Sequence, residues 1–493
     1  MSAQHDRLEP LLFERSRAGV SALSLPAAGV DDTPADCLPP DWHRQTPPHL
    51  PEVSQLEVVR HFLNLSQLNH CIDKAFYPLG SCTMKYNPKI CDLGGLQEGF
   101  ATLHPYTPDH LSQGALGVMH DVQTWLADLS GFDAVGLQPA AGAQGELVGM
   151  MIAKAYFQQI GEGHRNEVII PDSAHGTNPA SAAMCGFKVI EIKSGENGLV
   201  DLEQLRRAIT DNTACLMLTN PSTLGLFEQD ILTIAGLIHK AGGLMYYDGA
   251  NLNAVMGKAQ PARMGFDIMH INTHKTFATP HGGGGPGCGP VAVTARLAEF
   301  LPTPIVIHVG TQYCFDIDRP HSVGKVKAFY GNFDMVLRTW IYILAYGSDG
   351  LRQVSEEAVL NANYLRACLA DTYDVAPVNA GVPCKHEFIL TNARQKVLHP
   401  GLNTMALVKR LMDYGYHPPT VYFPLIIQEA MMIEPTETES KQTLDAFVSA
   451  MKAIARECEE NPDLVLNAPH TTPVQRVDEV RAARKPDLNY FYS

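Results

Sequence analysis

Lys275 stands in the run His270-Ile-Asn-Thr-His-Lys-Thr-Phe277, among small, hydroxylated and imidazole side chains, and the glycine run Gly282 to Gly285 lies just beyond it. A lysine amine condenses reversibly with an aldehyde, so a lysine in such a setting offers Schiff-base chemistry with pyridoxal phosphate. A solvated surface lysine beside a flexible loop explains the same window, and the partners elsewhere in the chain must decide.

Pyridoxal phosphate asks four things of a protein: an amine for its aldehyde, a carboxylate for its ring nitrogen, a flat partner for its ring face, and N–H and O–H donors for its phosphate. Asp248, in Tyr247-Asp-Gly-Ala-Asn251, suits the ring nitrogen, although a turn-forming Asp-Gly is the plain alternative. His175, in Asp172-Ser-Ala-His-Gly-Thr-Asn178, suits the ring face; a hydrogen-bonded loop histidine is its alternative. Gly142, Ala143 and Gln144, in Ala140-Ala-Gly-Ala-Gln-Gly-Glu146, offer phosphate donors where a helix begins, or mark an ordinary glycine-containing helix start. Thr223 and Asn251 complete the candidate cofactor set.

What must position these residues is an alternation of strands and helices. Strands are predicted at Glu167 to Ile170, Lys188 to Ile192, Ala214 to Leu218, Gly243 to Tyr247 and Asp267 to Ile271, with helical patterns such as Leu202 to Ile209 and Ile231 to Ala241 between them. This order predicts an α/β fold with a large, doubly wound, mostly parallel sheet. In such sheets ligands collect at the carboxyl ends of strands, where the candidates fall. Ahead of the sheet, Leu116, Met119, Val122, Leu126 and Leu129 keep helical spacing. Beyond about 320, helices at Asp334 to Ala345, Ser355 to Ala370, Thr404 to Tyr414 and Glu439 to Glu459, with strands at His386 to Leu390, Val421 to Ile427 and Met431 to Glu434, predict a smaller α/β domain. The division expected is an extended, proline-rich arm over 1–60, a large cofactor-binding domain over 61–320, a smaller domain over 321–460 and a tail over 461–493.

A chain of 493 residues has room for more than one core. A net charge of −15 argues against nucleic acid or an anionic membrane as principal partners. Eleven cysteines without a CxxC pair argue against a disulfide framework or zinc ribbon, and no run of 18 apolar residues occurs, so a cytoplasmic protein is expected. No metal is expected either: His270 and His274 are spaced i, i+4, but in a segment that reads as strand and loop.

The motifs carry a resemblance. Tyr77-Pro-Leu-Gly-Ser-Cys-Thr-Met-Lys85, Leu137 to Glu146, Pro171 to Ala180, Thr219 to Gly225, Tyr247 to Asn251, His274-Lys-Thr-Phe277 and Phe329-Tyr-Gly-Asn-Phe333 resemble, in order, the P-protein (glycine decarboxylase) family of the glycine cleavage system, in its split form with a separate cofactor-binding subunit 2. The resemblance implies fold type I, pyridoxal 5'-phosphate as cofactor, Lys275 as the Schiff-base lysine, and a site at a subunit interface. It further implies decarboxylation of glycine, transfer of the aminomethyl group to the lipoyl group of H-protein, and a companion subunit 1 in a heterotetramer of two of each. A histidine acid is needed, and His274 is the candidate. Ser81, Cys82 and Thr83 are candidates to grip the glycine carboxylate. Asn272-Thr273 departs from the family's asparagine-leucine.

Two other enzyme readings stay open on the residues. Another fold type I enzyme, an amino-acid decarboxylase or aminotransferase, shares the lysine and aspartate. Gly282, Gly284 and Gly287 formally fit the dinucleotide fingerprint, but Pro286 lies inside it and a strand, not a helix, is expected next. The glycine run reads better as a close-packed loop beside Lys275.

Overall fold

The computed structural model describes residues 9–488 apart from 28, 30–36, 283–286 and 377–381. It divides into two compact units, one formed by 1–74 with 470–493 and one by 75–469. In the first unit the helix Gln55–Leu68 is started by a reciprocal capping box in which Ser54 accepts from the Glu57 N–H and Glu57 accepts from the Ser54 N–H.

The second unit is built on a seven-stranded sheet. Its strands are β1 (Ala134–Gly136), β2 (Glu167–Pro171), β3 (Lys188–Ile192), β4 (Thr213–Thr219), β5 (Leu244–Gly249), β6 (Ile268–Ile271) and β7 (Val291–Val293), in the spatial order β1-β7-β6-β5-β4-β2-β3. Only β7 runs against its neighbours. Every residue of β4 and β5 is buried, as central parallel strands covered on both faces require. Alternation sorts their side chains into two cores: Met245 and Tyr247 pack with Leu126 and Ile238 on one face, whereas Leu244 and Tyr246 pack with Val148, Ile152 and Phe157 on the other. The first face is covered by helices Gln113–Ser130 and Ile231–Lys240, the second by Gly142–Gln159 and Thr177–Met184, giving three layers.

A hairpin of β8 (Ile305–Val309) and β9 (Gln312–Asp316) comes next, and a four-stranded antiparallel sheet of β10 (Asp374–Val375), β11 (Phe388–Thr391), β12 (Thr420–Val421) and β13 (Ala430–Ile433), ordered β10-β11-β13-β12, closes the unit. Phe388, Leu390, Met431 and Ile433 meet Leu365, Leu411 and Phe447 of the C-terminal helices, while Ile389 and Met432 meet Leu224 and Leu226, just after β4. The small sheet is thereby joined to a loop at the carboxyl end of the large one.

The large sheet agrees with the sequence expectation, and its differences from it have local causes. The helices expected at 334–345 and 355–370 form one element, Phe333–Leu369, interrupted where Gly347 takes φ 62° and ψ −177°. The strand expected over 421–427 ends at Val421, because Tyr422 takes a positive φ of 56° and turns the chain. β1, not among the expected strands, is only three residues long, too short for a period-2 signal, whereas the equally short β7 is the strand expected beyond the glycine segment. The tail does contribute to a core: Val465, in the helix Pro462–Leu466, is fully buried.

Candidate active site

β4, β5 and β6 are parallel, so their carboxyl ends lie side by side, and the segments after β1 and β2 open on the same edge. A cavity of about 300 Å³ lies there, lined by Gly142, Ala143, His175, Thr223, Asp248, Asn251, His274 and Lys275 among others. Of the site residues expected from sequence, Thr83, whose N–H and hydroxyl donate to Glu434, does not line it, and neither does Gln144. Its Oε1 accepts from the Ala140 N–H at 2.6 Å and its Nε2 donates to Val326 O at 2.9 Å, so its side chain closes the turn before the helix instead of facing a ligand.

Lys275 sits in a four-residue helix, Thr273–Thr276, directly after β6, where the sequence reads as loop. Its Nζ donates to the carbonyl oxygen of Ser81 at 2.8 Å. Thr273, the departure from the family pattern, is buried and its Oγ1 donates to Cys288 O at 3.0 Å, an anchor that leucine lacks. Asp248 is 2% exposed; it accepts from the Thr219 hydroxyl and the Ala250 N–H, each at 3.0 Å. Burial alone would raise its carboxyl, but the His270 imidazole 3.3 Å away, the Ala250 N–H, Lys275 and Thr219 together hold it below its ordinary range.

Behind Asp248 lie two buried groups that the motifs do not single out. His270 Nε2 stands 3.8 Å from Glu146 Oε1, and its Nδ1 is 2.7 Å from the Tyr246 hydroxyl. Burial, reinforced by the nearby Asp248 charge, pushes the Glu146 carboxyl up to about 9, so it is a neutral acid at neutral pH. Burial likewise lowers His270 despite Asp248. Asp248 is therefore the one carboxylate of this group that stays charged. The sequence signal available for Glu146 is that it is the one acidic residue of the helix Gly142–Gln159.

The helix beginning at Gly142 presents its first N–H groups to the cavity, since its intrahelical bonds start with the Gly145 N–H, which donates to Ala141 O at 2.9 Å. Its start fits closely: a Cβ at Gly142 would lie 1.8 Å from Asn272 Oδ1, and one at Gly289 would lie 2.0 Å from Ala141 O. The close packing expected of the glycine segment is thus seen at Gly289; residues 283–286, including Gly284 of the formal fingerprint, lie outside the described residues. The chain then enters strand β7, not the helix that a dinucleotide site needs.

His175 is anchored by Thr177 Oγ1, 2.8 Å from its Nδ1, and burial lowers its pKa. Thr223 donates to Ser173 O at 2.8 Å and Asn251 to Pro221 O at 2.9 Å, which ties the loops after β2, β4 and β5 to one another. His274 packs edge-on to His281, centroids 4.8 Å apart; burial first, then His281, Lys275 and His270, depress its pKa to about 3. It is neutral at working pH, so it does not hold a proton ready to donate. Cys82 is a thiol, pushed up to about 11 by burial.

These donors fit pyridoxal phosphate. An ionised, buried carboxylate for a ring nitrogen, a lysine amine, and a helix start too tight for any side chain but glycine's converge on one cavity of small-ligand size. Fold and site define a pyridoxal-phosphate enzyme of fold type I. Residues 147–303 match the family model of class-V aminotransferases, and residues 354–470 match that of the glycine dehydrogenase C-terminal domain. The chain is 54% identical over 484 residues to a probable glycine dehydrogenase (decarboxylating) subunit 2 of Desulforamulus reducens, covering 98% of this chain and 99% of the relative. It is 55% identical over 482 residues to the like-named protein of Listeria innocua, covering 98% of each. It belongs to the glycine dehydrogenase (decarboxylating) subunit 2 family. Solved structures share the fold: an inhibitor-bound glycine decarboxylase P-protein at TM-score 0.71 and 22% identity, covering 85% of this chain and 94% of that one, and a glutamate decarboxylase of Lactobacillus brevis at 0.65 and 11%, covering 85% and 97%.

Proposed function

We propose that this chain is the cofactor-binding subunit of a split glycine decarboxylase. It releases the glycine carboxylate as carbon dioxide and passes the aminomethyl group to the lipoyl group of H-protein. The observation that carries this reading is the convergence of Lys275, Asp248 and the Gly142 helix start on one cavity, in a chain near-identical in length to its subunit 2 relatives.

When bound, pyridoxal phosphate supplies an aldehyde for amines and a protonated ring that takes up the electron pair left by the departing carboxylate. Lys275 supplies the amine that holds the aldehyde. Asp248, kept ionised, holds the proton on the ring nitrogen. Gly142, Ala143 and the backbone N–H of Gln144 would hold the phosphate at the positive end of their helix. His175 would bind against the ring, and Thr223 and Asn251 tie together the loops around it. His274, neutral, takes and returns a proton beside Lys275. Among the described residues no helix is long and apolar enough to cross a membrane. The reading extends to a companion subunit 1, two copies of each, in the cytoplasm, with the cofactor domain over 61–320 and the smaller domain over 321–460.

Lys275→Ala tests it. The variant is expected to lose both the cofactor's visible absorption band and exchange of labelled bicarbonate into glycine; retained exchange overturns the assignment. Exchange is also expected to require the companion subunit.

A further inference from the structure

Ser81, whose carbonyl faces Lys275, and Thr83, two residues on, are each held by an acid that the decarboxylation chemistry does not use, Ser81 by Glu387 and Thr83 by Glu434. β11 pairs with β13 in a register that sets Phe388 opposite Ile433, so Glu387 and Glu434, one residue beyond, emerge side by side. Both are fully buried, as is His386, and one oxygen or nitrogen of each lies within 4.8 Å of the others. Glu434 is served by three donors: the Thr83 N–H at 2.9 Å, the Thr83 hydroxyl at 2.7 Å and Asn253 Nδ2 at 3.4 Å. Among the described residues Glu387 receives one, the Ser81 N–H at 2.7 Å, and its Oε1, with His386 Nε2 3.6 Å away, has no hydrogen-bond partner. Ser81 and Thr83 take positive φ of 64° and 53°, a backbone region that non-glycine residues keep only when their surroundings impose it.

We propose that Glu434 as a carboxylate and Glu387 as a neutral acid are positioning residues, which fix Ser81 so that its carbonyl oxygen is the resting acceptor for the Lys275 amine. This rests on Lys275 being the Schiff-base lysine. Two adjacent buried carboxyl groups cannot both ionise, and the proton belongs on the one with fewer donors. Burial, then Glu434, raises Glu387 well above its ordinary range; burial raises Glu434 too, against Thr83, Lys275 and Asn253. The other groups facing the pair are neutral: burial depresses His386 to about 3, and Cys82 is a thiol.

The arrangement makes the two acids unequal. Glutamine at 387 keeps an oxygen for the Ser81 N–H and copies the neutral acid. Glutamine at 434 turns an NH2 group toward donors. The full-length chain, stripped of cofactor and mixed with pyridoxal phosphate, reports capture through its visible band, followed as a function of pH. Glu387→Gln is expected to slow capture less than threefold, Glu387→Ala and Glu434→Gln tenfold or more, with a displaced pH profile. Equal effects of the two glutamine variants, or no rescue of Glu387→Ala by glutamine, overturn the proposal. So does a Glu387→Gln chain that fails to fold, since a neutral acid tolerates that change. If Glu434→Gln does not fold, Thr83→Ala, which removes one donor, is expected to slow capture about threefold, and an unchanged rate overturns the proposal. Lys275→Ala is the separating control: a persisting band rejects the lysine assignment, whereas loss of the band there with a normal Glu434→Gln rejects only the positioning role.

Discussion

Glu146→Gln puts the electrostatics behind Asp248 to a quantitative test. Glu146 is 5% exposed, and burial with the Asp248 charge moves its carboxyl from 4.5 to about 9. At pH 7 the folded chain must therefore carry it protonated, about 2.5 pH units above its ordinary value, at a cost of about 3 kcal/mol relative to the unfolded chain. Glutamine has the same shape and no charge to lose, so the variant is expected to gain up to about 3 kcal/mol at pH 7, less the cost of a buried NH2 without an acceptor. The sign comes from proton counting: the folded state binds more protons between 4.5 and 9, so the stability contributed by the wild-type acid is complete below 4.5 and is lost as pH rises to about 9. Urea unfolding of the cofactor-free chain between about pH 5 and pH 9 is the assay, with the variant's advantage growing through that window and levelling above it. A difference that does not change with pH means that Glu146 is ionised when folded, and refutes the reasoning.

Asp248→Asn is expected to keep cofactor binding but lose about a hundredfold or more in bicarbonate exchange, because a neutral amide does not hold the ring-nitrogen proton. Gly142→Ala must displace Asn272, whose Oδ1 a new Cβ would meet at 1.8 Å, and is expected to weaken cofactor affinity about tenfold by equilibrium titration. The His274 imidazole is expected to show no protonation above about pH 5 by nuclear magnetic resonance, its share of stability being complete above 6.5 and lost as pH falls toward 3. Leu126→Ala, at a fully buried position under the sheet, is expected to destabilise by about 2–5 kcal/mol in urea without changing the cofactor spectrum.

The sequence by itself determined the large sheet and most of the polar residues at its edge. β2, β4, β5 and β6 are largely apolar runs bounded by turn residues, and a parallel strand's carboxyl end is a fixed place in the fold, so Asp248 and Lys275 were legible from their positions at the end of β5 and just after β6. Local signals of this kind survive without knowledge of neighbours. The short β1 offered no such signal, since three residues hold no period, and β7 showed only as the strand expected beyond the glycine segment. Tertiary structure alone decided the rest. Nothing near Gln144 in sequence says that its amide is spent on Ala140 and Val326, because Val326 is 182 residues away. Nothing near Glu146 says that it is protonated, because that depends on burial and on Asp248, a hundred residues on. Ser81 meets Glu387 across 306 residues of chain, and only the register of β11 against β13 sets Glu434 beside it. Protonation and register are properties of groups brought together by folding, and a linear pattern does not encode the distance between them.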